Sequence, residues 1–136
     1  MTRLLINIDV PDLDRAVAFY RDGLGLLPRR RIGDGAVEME GAGCPVYVLE
    51  NREGSKATSG GDTRRFARHW TPLHLDLAVD DLDAAVARAT AAGALLEHPA
   101  REAPYGRIAV LADPFGHGFC LIEFTSAGYD PMARPW

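Results

Sequence analysis

The chain opens on an alternation. Leu4, Ile6, Ile8 and Val10 take every second position, with Leu5, Asn7 and Asp9 between them. Successive side chains of a strand point to opposite faces, so this period of two predicts a half-buried strand with one apolar face. The period then changes. Leu13, Ala16, Val17 and Tyr20 stand at i, i+3, i+4 and i+7, one stripe of a helix. Asp12 is placed to accept from the free N–H groups of the first helical turn, and Gly23 and Gly25 mark the end.

The pattern then returns. Val10-Pro-Asp-Leu-Asp-Arg-Ala-Val-Ala18 matches Val79-Asp-Asp-Leu-Asp-Ala-Ala-Val-Ala87 at an offset of 69 residues, with seven of nine positions identical. Leu73, Leu75, Leu77 and Val79 repeat the strand against His74, Asp76 and Ala78. Asp81 repeats the cap, Leu82, Ala85, Val86 and Ala89 the stripe, and Gly93 the stop. A pattern that recurs after half a chain marks a duplicated unit. Three strands complete each copy, at Leu26–Ile32, Ala36–Glu40 and Pro45–Glu50, then at Ala94–Glu97, Arg107–Ala112 and Gly118–Phe124. Asp113-Pro114-Phe115-Gly116 has Pro second and Gly last, as a tight turn requires.

Asn51–Asp62 is rich in Gly, Ser and charge, and reads as a linker. The expected organisation is one domain over residues 1–125, with module 1 at 3–50, a linker at 51–71 and module 2 at 72–125. A tail at 126–136 carries Pro131 and Pro135 and packs loosely or against a partner subunit. The fold class is α+β: two tandem βαβββ modules forming a cup-shaped mixed sheet. The strand faces turned away from the helices carry Asn7, Asp9, His74, Asp76 and Cys120. A face that met only solvent would more often carry Lys, Glu and Thr, so these groups point to a lined cavity.

Composition narrows the partners. The 136 residues suffice for one core, and 47% apolar with 25% charged is ordinary for a globular protein. The net charge of −4 argues against nucleic acid, which wants a basic domain. No run is long and apolar enough for a membrane span, and the first residues lack the core of a signal peptide, so a cytoplasmic location is expected. Cys44 and Cys120 are too few for a disulfide framework.

The duplicated unit, with V-P-D-L-D-R-A-V-A-F-Y-R-D-G-L-G-L after the first strand and D-P-F-G-H-G before the last, resembles the vicinal oxygen chelate superfamily. That superfamily includes glyoxalases, bleomycin-resistance proteins and extradiol dioxygenases, and the resemblance spans about residues 3–125. It implies a small organic molecule as partner and a homodimer. It also implies four metal-ligand positions, which fall here on Leu5, Tyr47, His74 and Cys120. Metal-dependent members use His, Gln or Glu there. Only His74 fits, so the usual metal site is expected to be lost and no cofactor is required. A divalent metal stays compatible only with a divergent site at His74.

Three functions remain open. The first is a small-molecule-binding protein that sequesters an organic ligand. The second is a divalent-metal-dependent lyase or dioxygenase with a divergent site at His74 and Asp76, His69 or His117 supplying the missing ligand. The third is a metal-free acid–base enzyme in which Asp76 orients His74 as the base. His74 and Asp76 are accordingly the candidate catalytic residues. Asn7, Tyr47, Trp70, Tyr105, Arg107 and Cys120 are the candidate ligand-binding residues. Phe115 is a further aromatic candidate, and Phe19 and Tyr20 are read as core.

Overall fold

The structure is a computed structural model and describes residues 1–136. Module 1 comprises β1 (Ile6–Val10), α1 (Leu13–Asp22), β2 (Leu27–Ile32), β3 (Ala36–Glu40) and β4 (Val46–Glu50). Module 2 comprises β5 (Leu75–Ala78), α2 (Leu82–Ala91), β6 (Leu95–Ala103), β7 (Gly106–Ala112) and β8 (Gly118–Phe124). Each module is a four-stranded mixed sheet, ordered β1-β4-β3-β2 and β5-β8-β7-β6. In both, the first strand runs parallel to the last and the other pairs are antiparallel.

The repeat is visible in the helix starts. Asp12 and Asp81 accept from Arg15 N and Ala84 N, each at 3.0 Å. A second carboxylate serves each helix from the end of the neighbouring parallel strand: Glu50 accepts from Leu13 N at 2.8 Å and Glu123 from Leu82 N at 2.7 Å. Two acids at each N-terminus satisfy otherwise unpaired N–H groups and meet the positive end of the helix dipole.

The edges of elements differ from the expectation. Leu4, Leu5, Leu73 and His74 precede their strands and are exposed, Leu4 at 65% and Leu73 at 84%. At the other edge, β6 continues past Glu97 to Ala103 and passes through Pro99. The register shifts twice around His98, and an outer strand tolerates a proline where pairing is already irregular.

The two sheets meet through their helix sides. Ile8, Val10, Met39 and Val48 of one sheet share a single core with Leu111, Phe119 and Leu121 of the other, with Leu13, Phe19, Tyr20 and Leu82 from the helices. Burying a side chain of this size stabilises by about 1.5–3 kcal/mol. Phe19 meets Phe119 at 6.4 Å between ring centroids. The opposite faces of both sheets turn away from this shared core. The α+β class and the two tandem βαβββ modules are as expected, and within one chain each sheet turns its outer face away from the shared core.

Between the modules lies one buried polar contact. The Tyr20 hydroxyl on α1 donates to Asp113 Oδ2 at 2.6 Å, and Asp113 Oδ1 accepts from Phe115 N at 2.8 Å and His117 N at 2.9 Å. Burial, then the Asp113 carboxylate, push the Tyr20 phenol well above its ordinary value. A phenol that stays protonated in the fold but ionises in the unfolded chain makes stability fall as pH rises past the unfolded value of 10.0. Tyr20→Phe is expected to cost about 1–2 kcal/mol at neutral pH and to lose part of the alkaline fall. Urea unfolding of both proteins across that range checks it; identical alkaline slopes would contradict it.

Candidate functional site

The outer face of sheet 2 gathers most of the candidate chemistry. Asp76 and Cys120 are Cα partners in the parallel β5–β8 pair, and His74 lies two residues before Asp76 on the same side. His74 Nε2 stands 3.1 Å from Asp76 Oδ1, and one ligand atom from each of His74, Asp76 and Cys120 lies within 4.8 Å of the others. The Cys120 thiol is buried, and burial followed by the nearby Asp76 carboxylate push it up to about 11. It is a neutral thiol at physiological pH and a poor nucleophile.

Beyond Cys120 the face turns apolar. Ile108, Cys120 and Ile122 form a small cluster separate from the main core, with Tyr105 and Val110 packed on it. Phe124 follows two residues after Ile122 on the same face. There it meets Tyr105 at 6.1 Å and Tyr129 at 5.0 Å, with Tyr105 and Tyr129 also 5.0 Å apart. The tail thus folds back onto its own module through Tyr129. Four residues of strand separate Cys120 from Phe124, about 13 Å at ~3.3 Å per residue.

A linker residue reaches this face. The Arg68 guanidinium donates to Glu97 on β6, at 2.6 Å to Oε1 and 3.1 Å to Oε2. It passes over Gly118, where a Cβ would lie 2.6 Å from Arg68 Nη2. Gly116, at φ +90°, lets the linker backbone of Ala67 approach to 2.6 Å of a would-be Cβ. The two glycines of D-P-F-G-H-G therefore make room for the linker. They are the signal through which Arg68 could have been found.

Sheet 1 carries a different row across its outer face. Asn7 is the Cα partner of Tyr47, which is the partner of Glu38, which is the partner of Arg30. Glu38 is buried and accepts from the Tyr47 hydroxyl at 3.1 Å and from Arg30 Nε. Arg30, then Tyr47, hold the Glu38 carboxyl below its usual range in spite of its burial. Glu38 lies outside the expected site residues, although a carboxylate inside the apolar run Ala36-Val37-Glu38-Met39 is the available clue.

Residues 5–122 match the model of the glyoxalase-like domain. The chain belongs to that family, within the vicinal oxygen chelate superfamily. Among curated relatives, the anthracycline biosynthesis protein DauV of Streptomyces sp. (strain C5) is 31% identical over 122 residues. That alignment covers 90% of this chain and 41% of DauV, so this glyoxalase-like chain spans about two fifths of that relative. Among solved structures, TioX from Micromonospora sp. ML1 superposes with TM-score 0.69 at 22% identity, covering 92% of this chain and 100% of TioX. TnmS3, an antibiotic binding protein from Streptomyces sp. CB03234, gives TM-score 0.64 at 22% identity, with 92% and 97% covered. At these identities the structures support the fold.

Within this glyoxalase-like chain, several side chains expected at the site lie elsewhere or stand exposed. Arg107 points to the helix side and pairs with Asp83 on α2 at 2.9 Å, because its position in β7 alternates with Ile108. Trp70, expected at a lid, is 81% exposed. His117 Nε2 bonds the Asp9 carbonyl at 2.7 Å and His69 Nδ1 the Ala67 carbonyl at 2.7 Å, so neither joins His74. Phe115 is core, under the Arg15 guanidinium. It borders an open groove between α1 and the β7–β8 turn, but that groove lies on the helix side, away from Cys120.

The two turn glycines make a paired prediction. Gly118→Ala meets only the end of a flexible side chain and is expected to displace Arg68 at a cost below about 1 kcal/mol. Gly116→Ala meets backbone at positive φ and is expected to cost at least about 2 kcal/mol. Denaturant midpoints measure both, and equal losses would contradict the account of the linker.

Proposed function

We propose that this chain binds and sequesters a planar, multi-ring organic molecule on the outer face of module 2. The observation that carries this reading is the graded character of that face. His74, Asp76 and the Arg68–Glu97 pair offer polar groups at one end, Tyr105 and Val110 over the buried Ile108 and Ile122 an apolar middle, and Phe124 and Tyr129 aromatic surface at the other. A few polar groups fix orientation while apolar and aromatic walls supply the contact area, as in most small-molecule sites. The length of about 13 Å between the ends suits three or four fused rings. The printed names of two relatives, an anthracycline biosynthesis protein and an antibiotic binding protein, supply a chemical class to test.

The usual four-position metal set does not carry the reading. Leu5 has no donor, and the Tyr47 hydroxyl is committed to Glu38. Binding on this face rests on organic contacts. A second reading keeps the face and adds a reaction: the Asp76 carboxylate, 3.1 Å from His74 Nε2, orients the ring for proton transfer. Under the first reading a bound ligand is recovered unchanged; under the second it is not.

The open half-cup also supports a homodimer. Leu4, Leu5, Trp70, Leu73, Leu95 and Phe124 are exposed apolar groups around the two first strands and the outer faces. A second copy would cover them and bring a module 1 face, with its Glu38 row, opposite module 2. No helix is long and apolar enough to cross a membrane, and both cysteines are free, which fits a reducing cytoplasm.

The test uses 1,4-dihydroxyanthraquinone as a fluorescent probe. Saturable binding is expected, weakened roughly tenfold or more by Phe124→Ala and by Tyr129→Ala, and less by His74→Ala. Affinity unchanged in both aromatic variants would overturn the reading. Light scattering after size exclusion should give twice the 14.8 kDa chain mass; a monomer at micromolar concentration would contradict the dimer.

A further inference from the structure

The helix side of the molecule carries a groove that plays no part in the outer face. It lies where the modules meet, between α1 of module 1 and the α2 end and β7–β8 turn of module 2. Its volume is about 320 Å³, at the lower end for small-molecule sites. Pro114 and the small residues Ala18, Ala92 and Gly93 form its accessible walls, over the buried rings of Phe19 and Phe115. A Cβ at Gly93 would stand 3.3 Å from Pro114 Cγ, and the φ of +116° there favours glycine. Arg15 lines the groove towards one end of α1 and Asp22 towards the other, about 10 Å apart at ~1.5 Å per residue.

Arg15 is placed against two local rules. It stands in the first turn of α1, where the positive end of the helix dipole disfavours a cation. Arg21, Arg29, Arg30 and Arg31 each pair with a carboxylate, and Arg15 pairs with none. Its guanidinium lies instead over the Phe115 ring, 5.4 Å from the centroid. Stacking uses the flat face of the guanidinium and leaves its N–H edge free, the edge that takes a carboxylate bidentately. A bound anion would relieve both penalties. The duplication does not account for the arrangement: Ala84, Arg88 and Ala91 take the places of Arg15, Phe19 and Asp22 in α2.

We propose that this groove is a second small-molecule site, for an aromatic monocarboxylate with a hydrogen-bond donor at the end opposite the acid. The carboxylate meets the N–H edge of Arg15. The ring lies along Ala18, Ala92 and Pro114. The donor reaches Asp22, whose oxygens accept from Arg21 at 2.7 and 3.0 Å and keep lone pairs free. The same Asp22 carboxylate repels a second acid, so a dicarboxylate is selected against. The groove shares no residue with the outer face of module 2, and either can be filled without the other.

The probe is 3-(4-hydroxyphenyl)propionate, titrated into the full chain with its alanine methyl groups labelled for NMR. Saturable shifts at Ala18 and Ala92 are expected, with a Kd of about 1 mM or tighter. Arg15→Gln changes an exposed side chain and should weaken binding roughly tenfold or more. Ala18→Leu fills the groove from a half-buried helix position and should abolish it. The neutral alcohol 3-(4-hydroxyphenyl)propanol should bind roughly tenfold more weakly than the acid. No saturation by about 10 mM would overturn the proposal. So would an affinity unchanged in Arg15→Gln, or saturable binding that leaves Ala18 and Ala92 unmoved.

Discussion

Asp113 holds the molecule's two halves in register. Its carboxylate is 4% exposed and accepts three hydrogen bonds, two from the turn that follows it and one from a tyrosine of the other module. A buried carboxylate is tolerable only when its oxygens are satisfied. Here the satisfaction is shared between local and distant partners, so the shape of the turn and the seating of α1 are set together. The turn in turn fixes where β8 begins. It seats Gly116 and Gly118 under the linker, and places Cys120, Ile122 and Phe124 in order along the outer face. His117, the residue between the glycines, reaches back to the Asp9 carbonyl of β1 and closes the same junction from the other side.

Duplication gave the two modules the same scaffold, and they use it differently. Asn7 and Asp76 are equivalent in the repeat, and so are Tyr47 and Cys120, each pair being partners across parallel strands. In module 1 the row ends in Glu38, which is neutralised by Arg30 and Tyr47. Those polar groups are spent on one another. In module 2 the residue facing Cys120 on β7 is Val110, and the carboxylate of the row is Asp76, 3.1 Å from His74 Nε2. That pair is exposed, its side chains 58% and 42% accessible, so a ligand can reach it. One half of the duplicated fold is internally satisfied, and the other keeps its chemistry available.

Much of this was legible in the chain. The repeat marked both helices and their aspartate caps, because each rests on local periodicity and on short-range capping. His74, Asp76 and Cys120 were found together because strand alternation decides which face a side chain takes. Arg107 was misplaced by the same rule: one residue of phase puts it on the helix side, where Asp83 holds it. Other features depend on contacts far apart in sequence, and no local pattern announces them. The packing of Tyr129 on Phe124, the reach of Arg68 to Glu97 and the outward turn of both half-cups belong here. The exposed ends at Leu4 and Leu73 show the limit of periodicity from the other side. The alternation continues there, but no neighbouring strand pairs with it.

The central claim is that the outer face of module 2, rather than the shared core, is where this protein meets its ligand. The isoleucines report on it directly, because Ile108 and Ile122 line that face while Ile8 is buried in the core between the modules. Methyl NMR of isoleucine-labelled protein, recorded while 1,4-dihydroxyanthraquinone is added, separates the alternatives. The account predicts saturable shifts at Ile108 and Ile122 with Ile8 unmoved. Shifts confined to Ile8, or to Ile32 on the far edge of sheet 1, would contradict it.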